Sequence, residues 1–238
     1  MVLLLLLTTV ILVVLFHRSF ESGQVLFSND GPLGVQMAHF LKLPAGFFGT
    51  WYDIQWLGSN TGSIFPTLSS LIRWVLGPLG YSNFYIPIAI LFLALSAGFF
   101  FKQLKLAPVA CVLGGLAAAL NSDFFSESAW GLASHGITFG FEFLALAALV
   151  DTSTRRRWLK VILAGLAVGM GIMEGADIGA IFSLYIAAFV MHQAWMGDGV
   201  PAARLSRGVI RTVVVAIFAA LISAQALTNL IGTQIKGI

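Results

Sequence analysis

Charged residues are scarce in this chain: only 10% of its 238 residues are Asp, Glu, Lys or Arg, where ordinary soluble domains carry roughly 25%. With 58% hydrophobic residues, a soluble fold of this size could not hide its apolar surface. The composition therefore excludes a water-soluble domain and implies a polytopic membrane protein. Cysteine is nearly absent. The single Cys111 excludes an internal disulfide and thiolate metal clusters, and its place in an apolar run marks it as a small buried hydrophobe. Basic tracts of the kind that track nucleic acid are missing, and the net charge is only +3, so nucleic acid is not an expected partner. There is no Walker loop and no strand–GxGxxG–helix unit; the glycines sit in apolar runs, which argues against a nucleotide-binding fold.

What the chain has is long hydrophobic runs. Seven are candidates to cross roughly 30 Å of hydrocarbon: Val2–Phe16, Phe84–Phe101, Leu106–Leu120, Ile137–Val150, Trp158–Met173, Ile178–Trp195 and Val209–Ile231. The expected fold is thus an all-α bundle of about seven transmembrane helices in a single domain. Its orientation follows from Lys and Arg, which resist translocation. With a cytoplasmic N-terminus, nine cations fall inside: Lys102, Lys105, Arg155, Arg156, Arg157, Lys160, Arg204, Arg207 and Arg211. Four fall outside, namely Arg18, Lys42, Arg73 and Lys236. The acids sort the other way, with only Asp151 and Asp198 inside and Glu142 within a span. The first run lacks a basic leader and a small-x-small site before "SFESGQ", which favours an uncleaved anchor over a signal peptide.

Residues 17–83 form by far the longest connection, and long connections in compact domains usually carry function. "GPLGVQMAHFLKL" and "FPTLSSLIRWVLGPLG" read as amphipathic helices lying on the outer membrane surface. At the head of this loop, "FSNDGPLGVQ" sets Asp30 between Asn29 and a Gly-Pro turn. Two readings stay open from local sequence: Asp30 caps the following helix, or it does chemistry.

Other polar residues gather on the same face. Asp123 and Glu127, four apart, with Asp30 or Asp177 could offer oxygens to a hard cation such as Mg²⁺ or Mn²⁺, although the spacing is common and a solvated surface pair is the readier explanation. His135, Thr138 and Glu142 share one stripe of the fourth span, where His135 and Glu142 could line a substrate site; alternatively Glu142 pairs with His135 or reaches another helix in a structural hydrogen bond. Glu174 and Asp177 bracket the turn "MEGADIG", as solvated loop acids or as further carboxylates of a site. Lys42 and Arg73 sit at the depth of a lipid phosphate, and Arg can grip two phosphate oxygens at once. Gly165, Gly169, Gly171 and Gly175 recur at spacings that permit close helix approach, within the chain or to a membrane-protein partner.

The early "NDGPLGVQ", the glycine turn "GTWYDIQWLG", the following "FP" element and the later "RRRWLKVILAGLAVGMGIMEGADIGAIFSLYIAAFV" together resemble the YfhO-like bacterial membrane proteins of the GT-C glycosyltransferase superfamily. Two departures stand out: Glu174, Gly175, Ala176 and Asp177 occupy a turn that often carries histidine and proline, and family members are much longer. The resemblance implies an N-terminal portion of an enzyme in the bacterial cytoplasmic membrane. Such an enzyme moves a sugar from a polyprenyl-phosphate carrier to an envelope acceptor at the outer face. It further implies that Asp30 is the base; in the reading built on this, Asp53, Glu174 and Asp177 assist and Arg73 or Lys42 binds phosphate. A phosphate leaving group needs no strong acid, so one carboxylate can suffice. The rival expectations are a transporter or flippase, with a polar path around Glu142, and a non-catalytic subunit that docks a partner.

Overall fold

A computed structural model of the chain describes residues 1–26, 28–49, 51, 64–151 and 156–231. Among these the architecture is entirely helical. The apolar runs are helical, with the expected run Val209–Ile231 divided at Ser223: α1 (Val2–Phe16), then α2 (Leu33–Leu41), α3 (Leu68–Gln103), α4 (Pro108–Leu120), α5 (Ser122–Glu127), α6 (Ala133–Leu149), α7 (Arg157–Glu174), α8 (Ala176–Trp195), α9 (Pro201–Ile222) and α10 (Ala224–Leu230). Five helical stretches have the length and composition to cross a membrane: Val2–Phe20, Leu68–Gln103, Ser122–Leu149, Ala176–Trp195 and Pro201–Ile222. α4, with 13 residues, is shorter, and α7 carries Arg157, Lys160 and Glu174.

The bundle helices run alternately up and down. Leu4 of α1 is fully buried beside Gly98 and Gly115, which leave it room between α3 and α4. At the other end of α1, Leu12 and Phe16 pack with Tyr81, Tyr85 and Ile137 in one core cluster. A second cluster joins α6, α7, α8 and α9 through Leu149, Val161, Val168, Ile186 and Val215. α7 and α9 run parallel in close contact. A Cβ on Gly165 would stand 2.7 Å from the Val215 carbonyl, and one on Gly169 would stand 2.7 Å from that of Ala219. Gly171 and Gly175 face Glu142 and Thr138 of α6 instead. All four glycines therefore serve packing inside this chain.

The amphipathic helix expected in "FPTLSSLIRWVLGPLG" is present as residues 68–76 and joins the next bundle helix directly at a break, so that α3 as a whole begins at Leu68 rather than near Phe84. Gly77 interrupts it at φ 67°, ψ 174°, a conformation open to glycine, and Pro78 follows without an N–H to donate. The section before this break turns Leu71, Trp74 and Val75 outward and buries Ser69, Ser70 and Arg73. Its polar side faces the protein.

The two ends of the bundle differ in charge. Among the described residues, the end holding the α3–α4 and α8–α9 turns carries eight cations and two acids. The end holding the α7–α8 turn carries three cations and six acids.

Candidate functional site

The acidic end holds a cavity of about 540 Å³, lined by Asp30, Gln36, His39, Ser69, Arg73 and Glu174 among others. Its rim is the segment before α2. The N–H groups of Asn29 and Asp30 both donate to the Trp130 carbonyl, at 3.1 and 3.3 Å. The Gly31 N–H donates to Ser28 Oγ at 3.0 Å, and Gln36 Nε2 donates to the Gly31 carbonyl at 3.1 Å. The residue at the N-terminus of α2 is Pro32, with no side-chain cap, so Asp30 is not a helix cap. Its carboxylate is exposed at the cavity rim, where Oδ1 accepts from Asn29 Nδ2 at 3.2 Å.

Gly131 makes this placement possible. It sits at φ 111°, and an added Cβ would collide with Ser28 Oγ and stand 3.1 Å from the Asp30 nitrogen. Gly131→Ala is expected to push residues 28–30 off the Trp130 carbonyl and to expose the rim to protease, with cost from both backbone strain and overlap of roughly 1–3 kcal/mol. Limited proteolysis and thermal melting of the purified variant check this.

The floor is the first turn of α3. Thr67 Oγ1 accepts from the Ser70 N–H at 3.1 Å, an N-cap. A second acceptor comes from α7. Glu174 Oε1 takes the Ser69 N–H at 2.9 Å, and Oε2 takes the Ser69 hydroxyl at 2.5 Å. The Ser69 proton is thereby committed, so Tyr85 donates to Ser69 Oγ, also at 2.5 Å. A carboxylate at a helix N-terminus meets the positive end of the dipole, and Glu174 thus ties α7 to the start of α3.

One turn further on, Arg73 is buried and makes no salt bridge with a described residue. Its Nε donates to Gln36 Oε1 at 2.9 Å and Nη2 to the Tyr81 hydroxyl at 3.3 Å. Its guanidinium carbon lies 4.5 Å from the centre of the Tyr81 ring, which stacks on Tyr85 at 4.3 Å. Among the described residues the partners that fix this cation are neutral.

His39, on α2, is half-buried beside this cation. Burial first, and the charge of Arg73 second, hold its pKa down at about 4, against an ordinary 6.5. As pH falls from about 6.5 toward 4, the unfolded chain takes up a proton that the folded protein refuses, so stability is lost across that window. Melting curves of the wild-type protein and His39→Gln are expected to diverge in that window, the wild type losing more.

The remaining expected residues lie elsewhere. Asp53 falls outside the described residues. Lys42 ends α2 and does not line the cavity. His135 Nδ1 meets Glu127 Oε2 at 3.2 Å, so the expected pairing of His135 with Glu142 is not formed. Glu142 is buried in α6, and neither of its oxygens has a hydrogen-bond partner among the described residues. Asp123 and Asp177 are exposed in the first turns of α5 and α8. Among the described residues no three metal-capable side chains come together, so Asp123, Glu127, Glu174 and Asp177 do not form one cluster. Conversely, Gln36, His39, Ser69, Tyr81 and Tyr85 line the cavity although none is expected there as a site residue; the polar i, i+1, i+4 spacing of Ser69, Ser70 and Arg73 is the available signal.

Geometry and composition together define a multi-pass membrane protein with a polar, tyrosine-walled cavity at its acidic end. No protein-family model matches the chain, and neither a curated protein nor a solved structure matches it.

Proposed function

We propose that the chain is a GT-C-like glycosyltransferase, or the N-terminal part of one, that takes a sugar from a polyprenyl-phosphate carrier. In this reading α1, α3, α4, α6, α7, α8 and α9 are seven spans, the basic end is cytoplasmic, and the cavity opens on the extracytoplasmic side. The observation that carries the proposal is the joining of an exposed carboxylate, Asp30, and a buried guanidinium, Arg73, in one cavity. Beside it stands an apolar outer flank of Leu71, Trp74, Val75 and Leu79. A lipid-tethered donor fits this layout, with its chain along the flank and its phosphate against Arg73.

In the reaction, the acceptor hydroxyl oxygen bonds to the anomeric carbon as the bond from that carbon to the phosphate oxygen breaks. Asp30 takes the hydroxyl proton, and polyprenyl phosphate leaves with its charge facing Arg73. Glu174 holds the α3 start in place rather than touching substrate.

The test is sugar transfer from synthetic polyprenyl-phosphate sugars by the membrane-embedded protein, with Asp30→Asn as the diagnostic variant. Asp30→Asn is expected to lower transfer by about 100-fold or more while donor binding persists. Transfer at the wild-type rate by a correctly folded Asp30→Asn protein excludes Asp30 as base. The transporter alternative draws on Glu142, which does not line this cavity.

A further inference from the structure

The opposite end of the bundle carries a second cavity of about 490 Å³, a groove between α3, α6 and α7. Its body is hydrocarbon, made by Phe99, Phe141, Leu144, Leu163, Ala167 and Met170. Its mouth is polar. Gln103, Asp151 and Lys160 stand there, and Lys160 Nζ donates to the Asp151 carbonyl at 2.6 Å and lies 3.7 Å from its carboxylate. Lys102, Arg156 and Arg157 are exposed on the adjoining helix ends. Next to it, a smaller polar cavity of about 310 Å³ holds Arg207 and Arg211, and Arg211 bears the like charge of both Arg157 and Arg207.

An apolar trough that opens to the bilayer takes hydrocarbon. What distinguishes this one is its place at the end of the bundle that carries eight cations and two acids among the described residues, so that like charges repel one another around it. Such repulsion is relieved by an anion held at the level of the lipid headgroups. A zwitterionic lipid offers the same chains without that net charge.

We propose that this groove is a binding site for an anionic phospholipid, with one acyl chain in the trough and the phosphate over Lys160, Arg157 and Lys102. The inference stands apart from the glycosyltransfer reading, since it uses neither Asp30 nor the first cavity.

Native mass spectrometry of the full chain, released from micelles with phosphatidylglycerol or phosphatidylcholine of identical chains, tests it. Retention is expected to favour phosphatidylglycerol by about tenfold, near the effect of one to two basic residues at a membrane surface. Lys160→Gln combined with Arg157→Gln should bring the two lipids level. Ala167→Phe, which fills the trough, should release both; Leu163→Trp at its exposed lip serves the same purpose if the first variant does not fold. Equal retention of the two lipids by the wild-type protein overturns the proposal. So does a phosphatidylglycerol preference that survives filling of the trough, because the phosphate would then be held on the surface alone.

Discussion

Replacing Arg73 by alanine is expected to destabilise the protein and silence the site together. Arg73 is 9% exposed and its guanidinium donates to Gln36 and Tyr81; hydrogen bonds to charged groups contribute about 1.5–3 kcal/mol each. Its removal strands the Oε1 of the buried Gln36 and takes the compensating cation away from the Glu174 carboxylate in the same cavity. Losing the two bonds together costs about 3–6 kcal/mol, which for a chain of this length lowers the melting temperature by roughly 10 °C. Arg73→Lys retains charge but not shape. One ammonium cannot reproduce the Nε bond to Gln36, the Nη2 bond to Tyr81 and the planar stack on its ring, so the lysine variant is expected to recover only part of the stability. Transfer from a polyprenyl-phosphate donor should fall below about 1% in both variants, given the electrostatic demand of the leaving phosphate. Melting curves measure the first effect whether or not the enzymatic reading holds, and the transfer assay measures the second.

The second large effect is expected from Gly169→Val, alone or with Gly165→Val. At Gly169 even an alanine Cβ would stand 2.7 Å from the Ala219 carbonyl and 2.7 Å from Ile222 Cβ. The obstructing atoms are largely backbone, so no rotamer change relieves them and α7 must move away from α9. Overpacking a core usually costs about 1–3 kcal/mol; two such collisions along one interface should exceed that range and leave little folded protein in mild detergent. Because α7 ends in Glu174, which caps α3 through Ser69, the displacement also loosens the cavity floor. Gly34→Ala is the matched control, since nothing lies within 4 Å of its added Cβ. It should leave monodispersity in size-exclusion chromatography unchanged, while the Gly169 variant aggregates.

These cases mark how far local pattern reaches. The apolar runs were legible as helices because helix formation is set by neighbours a few residues apart, and the break at Gly77-Pro78 was written in two residues. What the first section of α3 does was not legible: Ser69, Ser70 and Arg73 read as interruptions of an amphipathic face, and only the polar cavity beside them explains their burial. Asp30 and Arg73 were recognisable by charge and position, whereas His39 looked like any polar residue of an amphipathic helix.

The amino-acid order alone determined the helical class, the membrane environment and the segregation of charge between helix ends, because all three follow from composition and short-range periodicity. Tertiary packing decided the rest. It brought Glu174 onto Ser69 across 105 residues of chain, set Gln36 against Arg73, and gave Glu127 to His135 while leaving Glu142 without a hydrogen-bond partner among the described residues. A side chain's partner depends on which helices meet and at what height, and that is fixed by close contacts such as Gly169 on Ala219, between residues whose separation in sequence carries no periodic signal.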